Sequence, residues 1–167
     1  MQTALSLAVP VTGIAEAVFA RGLSSEADLR EEAAKQGFNG PDGNLNLTDD
    51  EKKAFIEDIR QALYASKIVA YAQGFNEITT AAEEYGWDID LAAVARIWRG
   101  GCIIRAKFLN RISEAFESGE ANVSLLFAPY FKNAIETAEK SWRNVVAQAA
   151  VNGLPTPAFA SSLSYFD

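Results

Sequence analysis

Ten residues from Arg96 to Arg105, RIWRGGCIIR, hold the side chains in this chain best suited to chemistry. They include its sole thiol, Cys102, three arginines and two adjacent glycines. A thiolate is a nucleophile, an arginine fork pairs with phosphate, and glycine amides at a helix start cradle anions. The same residue types also build a joint. Gly100 and Gly101 can end one helix, adopt positive φ and let the next helix approach closely, while Trp98, Ile103 and Ile104 flank the crossing. We read the stretch as a tight helix–helix corner. The sharper alternative is an anion site made by the glycine amides with Arg99 and Arg105. A reactive Cys102 is least favoured, because a lone cysteine is usually a buried, inert hydrophobe.

A second constellation lies in QGFNGPDGNLNL, residues 36 to 47. Asp42, Asn44 and Asn46 occupy positions one, three and five of an EF-hand-like loop. Leu47 then stands where the loop needs glycine and Lys53 where it needs a bidentate glutamate, so the spacing favours a solvated turn over a calcium site. The chain has no histidine and one cysteine, which removes the common zinc, copper and haem ligand sets and every Ser-His or Cys-His nucleophile. No metal site is expected within these residues.

The elements that would position such groups are helical. Apolar residues recur at three and four positions and alanine is abundant. Residues 2 to 8 read as the end of a helix, and Pro10 permits a restart with Ile14, Ala17, Val18 and Arg21 on neighbouring turns. Ser25 is expected to cap a short amphipathic helix, with Asp28 in the third position. Thr48 and Glu51 form a capping box that opens the longest helical pattern, continuing to about Tyr85. Its apolar residues fall on more than one face, so it should run through the middle of a helical assembly. Gly86 stops it, and Asp88 or Asp90 caps the next helix. A helix from about Ile103 to Glu117 follows, then a long one from about Ala128 to Asn152, a stop at Gly153, a stiff Pro155–Pro157 joint, and a last helix in AFASSLSYFD. The expected fold class is all-α with two long core helices, in a single helical domain over residues 1–167.

Length and charge narrow the partners. A chain of 167 residues can bury roughly 70% of its unfolded surface without a staple. With 15 Lys and Arg against 22 Asp and Glu the net charge is -7, which disfavours nucleic acid and acidic membrane surfaces. The apolar start, MQTALSLAVPVTGIAEAVFA, lacks a basic n-region and is interrupted by Pro10, Thr12, Gly13 and Glu16, so export is not expected. No run approaches the roughly 18 apolar residues that span a bilayer. A cytoplasmic protein is the expectation.

Five phrases carry a further signal when taken in order: EAVFARGLSS, ALYASKIVAYAQGFNEI, WRGGCIIRAKFLNRI, SWRNVV and SYFD. Together they resemble the C-terminal all-helical domain of the 6-phosphogluconate dehydrogenase family, along nearly the whole chain. The resemblance implies oxidative decarboxylation of 6-phosphogluconate to ribulose 5-phosphate with NADP in the pentose phosphate pathway. It also implies that the cofactor fingerprint, the lysine base and the glutamate acid lie in segments that would precede Met1. An arginine and a histidine that reach the partner subunit's site would follow SYFD. The chain is therefore expected to be truncated at both ends and inactive alone, with no cofactor-binding residue of its own and NADP used by the complete enzyme.

One substrate contact transfers by motif. Arg21 of EAVFARGLSS implies a partner for the phosphate of 6-phosphogluconate, a role that suits a guanidinium fork. The alternative is an arginine that satisfies helix-end carbonyls or a carboxylate. The resemblance further implies a homodimer formed through the helical domain. Two other readings stay open: a non-catalytic helical dimer module or scaffold, and a domain of a related hydroxyacid or imine reductase.

Overall fold

The computed structural model describes residues 1–167 as eight α-helices and one short 3₁₀ turn, with no strand. The all-α expectation holds. The helices are α1 (Gln2–Ser6), α2 (Thr12–Ser25), α3 (Ala27–Gln36), α4 (Asp49–Tyr85), α5 (Leu91–Ile97), α6 (Leu109–Glu117), α7 (Pro129–Val151) and α8 (Pro157–Phe166), with the 3₁₀ turn at Leu125–Phe127. Two compact units divide these elements. One comprises Met1–Val11 and Ile68–Thr137, the other Thr12–Lys67 and Ala138–Asp167.

The first unit is built on aromatic packing. Phe75 of α4 lies 5.2 Å from Trp98 and 5.0 Å from Phe116, ring centre to ring centre. Tyr71 meets the edge of Phe108 at 5.2 Å, and Phe108 meets Phe131 at 6.1 Å. Such offset and edge-on pairs stabilise beyond the apolar area they remove from water. Leu109, Ile112 and Phe131 are fully buried beside them. The short α5 packs on α6. Asp90, not Asp88, caps α5 by accepting from the Ala93 amide at 2.9 Å. Arg96 ties α5 to α6 through Ser113 at 3.1 Å and the Glu117 carboxylate, and reaches back to the α5 cap Asp90 at 3.2 Å.

The second unit centres on Trp142, wholly buried on α7. Its indole N–H donates to the Phe159 carbonyl at 3.1 Å, and its ring stacks at a tilt on Phe166, so α8 is pinned at two levels. Arg143, one residue on, forks onto both oxygens of Asp167 at the end of α8. Asp58 of α4 accepts from Ser141 at 2.6 Å and from Asn144 at 2.7 Å, which joins α4 to α7 through both oxygens of one carboxylate. α2 packs against α8 in this unit.

The capping box that opens α4 forms as expected. The Thr48 amide donates to Glu51 at 2.8 Å, the Thr48 hydroxyl donates to the same carboxylate at 2.6 Å, and the Glu51 amide returns to Thr48 at 3.4 Å. Burial along α4 is uneven, contrary to the expectation of a helix central throughout. From Ala62 to Phe75 buried residues occur on several faces, but Ile56 and Leu63 remain 65% and 56% exposed. Ion pairs with Asp49, Asp50 and Glu57 keep this first stretch helical in water.

Three local expectations are corrected. Ser25 does not cap α3: its hydroxyl turns back to the Gly22 carbonyl at 2.6 Å, so it closes α2 and leaves Glu26 as a cap without a side-chain bond. α3 buries none of its residues, so its weak apolar face covers no core. The helix expected from Ile103 begins at Leu109. Gly101 takes φ +70, the Ile104 carbonyl receives the Tyr71 hydroxyl, and the Arg105 amide closes a turn on Cys102 at 3.4 Å; this irregular path runs on until the regular ladder begins at Leu109.

Candidate functional site around Arg21

Arg21 lies one turn before the end of α2, with its side chain exposed. A helix end leaves its last carbonyls without amide partners. Here side chains supply donors beside the Glu26 amide, which reaches the Leu23 carbonyl at 3.1 Å. The Ser24 hydroxyl donates to the Arg21 carbonyl at 2.7 Å, the Ser25 hydroxyl to Gly22, and the Arg30 guanidinium from α3 to Leu23 at 2.8 Å. This explains how α2 stops without a glycine. It also brings a second cation, Arg30, to the same end of the helix.

The Arg21 guanidinium donates through Nη1 to Ser24 Oγ at 2.9 Å. Most other arginines of the chain serve carboxylates: Arg60 pairs with Glu57, Arg96 with Asp90 and Glu117, Arg111 with Glu114, and Arg143 with Glu139 and Asp167. Arg21 has no such partner, so its charge is left to solvent or a ligand. Beside it opens a cleft of about 680 Å³ lined by Glu16, Phe19, Ala20, Leu23, Ser24, Arg30, Pro155 and Pro157. Arg21 stands outside that lining, one residue from Ala20. The walls are mainly apolar, and Phe19 and Leu23 are each 62% exposed. An anionic ligand is the chemistry this arrangement suits, since a guanidinium without a carboxylate partner keeps donors for phosphate or carboxylate oxygens beside its bond to Ser24. Motif reasoning located Arg21 but missed Ser24 and Arg30. The Arg21–Ser24 spacing of three is the signal that could have found the first.

The RIWRGGCIIR stretch is a turn with a different internal logic from the one its residues suggest. Gly101 is left-handed, but it lies three residues past Trp98, the right-handed C-cap of α5, so it bends the connecting segment rather than ending the helix. Neither glycine is needed for close approach, because a Cβ at Gly100 or Gly101 would meet nothing within 4 Å. Trp98 packs inward on Tyr71 and Phe75, but Ile103 is wholly exposed and Ile104 is 42% exposed, so they do not flank a crossing. Arg99 donates to Asn110 at 2.7 Å and to the Arg96 carbonyl at 3.4 Å, which directs it along α6. Cys102 is a half-buried free thiol.

Asp42, Asn44 and Asn46 form consecutive side-chain turns. Asp42 accepts from the Asn44 amide at 2.9 Å, and Asn44 from the Asn46 amide at 3.0 Å. These oxygens serve the local backbone. No three Cys, Asp or Glu side chains are placed together so that they could hold a metal ion.

Comparisons with known proteins place this geometry in context. Residues 1–167 match the model of the 6-phosphogluconate dehydrogenase C-terminal domain. The decarboxylating 6-phosphogluconate dehydrogenase of Schizosaccharomyces pombe is 51% identical over 166 residues, which cover 99% of this chain and 33% of the relative. The Homo sapiens enzyme of the same description is 47% identical over 165 residues, 99% of this chain and 34% of its own length. A solved structure of Plasmodium falciparum 6-phosphogluconate dehydrogenase, described in its apo form and in complexes with NADP+ and 6-phosphogluconate, superposes with a TM-score of 0.89 at 35% identity, over 99% of this chain and 35% of that one. The chain thus spans about a third of the length of the relatives it matches.

Proposed function

The chain belongs to the 6-phosphogluconate dehydrogenase C-terminal domain family, and from that premise we propose that residues 1–167 act as one helical, substrate-side domain of a decarboxylating dehydrogenase of the relatives' length. In that enzyme 6-phosphogluconate is oxidised by NADP and decarboxylated to ribulose 5-phosphate. Arg21 binds the phosphate. The observation that carries this role is the exposed guanidinium without a carboxylate partner at the edge of an open cleft.

The residues of this chain bind and orient; they do not move the proton or the hydride. Acid–base catalysis needs a titratable group within hydrogen-bond reach of the reacting atoms, and the charged residues lining the cleft beside Arg21 are Glu16 and Arg30, of which the arginine stays protonated. NADP does not fit these residues: its pyrophosphate is held by a strand–glycine turn–helix unit, and residues 1–167 form no strand. No step is therefore routed through the cofactor here.

A homodimer and a cytosolic location complete the reading. Exposed Phe19, Leu23, Ile56 and Leu63 support association, since monomers rarely leave so much apolar surface in water. Sedimentation at micromolar concentration tests it; a clean monomer of 18.1 kDa would contradict it. No helix is long and apolar enough to cross a membrane, and the single free thiol suits a reducing compartment.

The substrate assignment is tested by titrating the chain with 6-phosphogluconate and with gluconate while observing the Arg21 side chain by NMR. A response to the phosphorylated acid alone, abolished in Arg21→Ala, is expected. Equal responses to both acids, or a response unchanged in the variant, would contradict the assignment.

A further inference from the structure

We infer that Ser24 is a positioning residue for Arg21, holding one edge of its guanidinium so that the remaining donors face an incoming phosphate. The inference rests on the phosphate-binding reading of Arg21 and deepens it.

A serine hydroxyl has one proton and two lone pairs. The proton of Ser24 is committed to the Arg21 carbonyl at 2.7 Å, so the oxygen can present only lone pairs to its surroundings. Nη1–H of Arg21 donates to that oxygen at 2.9 Å. Backbone and side chain of Arg21 are therefore bridged by one hydroxyl, and the long side chain is turned toward the C-terminal end of α2. A guanidinium carries five N–H donors, of which this bridge uses one. The rest remain for a ligand, held on a side chain whose rotamer freedom is already reduced. Preorganisation of this kind raises affinity because less motion is lost on binding. Ser24 also lines the cleft, which fixes the guanidinium at its edge.

The next residue provides a matched control. Ser25 makes the same kind of bond to a helix-end carbonyl, Gly22 at 2.6 Å, but touches no guanidinium. If the serines only satisfied the end of α2, the two would be equivalent.

The test measures ¹⁵N relaxation at Arg21 Nε in the 167-residue chain, together with the dissociation constant for 6-phosphogluconate. Wild type is compared with Ser24→Ala, Ser24→Thr, Ser25→Ala and Arg21→Ala. Order at Nε should fall in Ser24→Ala, return in Ser24→Thr, and stay unchanged in Ser25→Ala. Affinity should fall about three- to tenfold in Ser24→Ala, the size of one lost hydrogen bond, and recover with threonine. Unchanged Nε order in Ser24→Ala, or an equal loss in Ser25→Ala, would overturn the inference. Binding lost in Arg21→Ala but intact in Ser24→Ala would also overturn it while leaving the phosphate reading standing. A fall in Nε order with binding indifferent to Arg21→Ala would instead uphold the tether and sink the phosphate reading.

Discussion

Tyr71 in the middle of α4 donates its hydroxyl to the backbone carbonyl of Ile104, 33 residues further along the chain. This bond anchors the irregular segment between α5 and α6 to the aromatic packing around Phe75 and Trp98.

Tyr71→Phe should therefore loosen that segment. The orphaned carbonyl costs about 1–2 kcal/mol, and amide exchange should accelerate between residues 101 and 108. Burial, then the neighbouring Cys102 thiolate, holds the Tyr71 hydroxyl above its ordinary value of 10.0. A raised folded value means that the contribution is complete below pH 10 and is lost as pH climbs from there through the folded value. Alkaline unfolding should lose that component in Tyr71→Phe, which denaturant melts at pH 8 and above pH 10 would reveal.

The two glycines of RIWRGGCIIR should respond differently to alanine. Gly101→Ala places a Cβ on left-handed backbone at φ +70 and should cost about 1–2 kcal/mol. Gly100→Ala meets open space and should change stability by no more than about 0.5 kcal/mol. Thermal melts of the two variants check this; equal losses would restore a close-packed corner.

Thr48→Ala removes the cap that opens α4 and should cost about 1 kcal/mol. Hydrogen bonds from the Thr48 hydroxyl and amide hold the Glu51 carboxyl below its ordinary 4.5. The depressed value means this bond stabilises above pH 4.5 and is lost as pH falls through the folded value. Glu51→Gln should therefore flatten that part of the acid limb of a pH–stability curve.

Trp142→Ala should be the most damaging of these changes, at about 3–5 kcal/mol, because it empties a fully buried site and leaves the Phe159 carbonyl without its indole donor. Trp142→Phe keeps much of the volume and loses chiefly the bond to α8. Comparing the two by chemical denaturation, with exchange at residues 157 to 166, separates packing from that bond.

What the sequence made legible follows from locality. The Thr48–Glu51 box, the Gly86 stop and the two long helices depend on residues within one turn of each other, and here no longer-range contact displaced them. The start of α6 was misplaced because the Tyr71–Ile104 bond spans 33 positions and leaves no periodic trace. Ser25 departs from its expected role because a serine between two helices can satisfy the carbonyls behind it or the amides ahead, and the fold decides which. At the candidate site the motif picked out Arg21 alone. Arg30 reaches it from another helix, and the apolar walls contributed by Pro155 and Pro157 come from more than a hundred residues away.

The most direct measurement replaces the aligned third of the Schizosaccharomyces pombe relative with this chain and records NADPH formation from 6-phosphogluconate. The hybrid should turn over, its KM should rise about tenfold or more in Arg21→Ala as a charged hydrogen bond is lost, and the 167-residue chain alone should give no NADPH. A folded, NADP-binding hybrid without 6-phosphogluconate-dependent turnover, or turnover by the chain alone, would contradict the account.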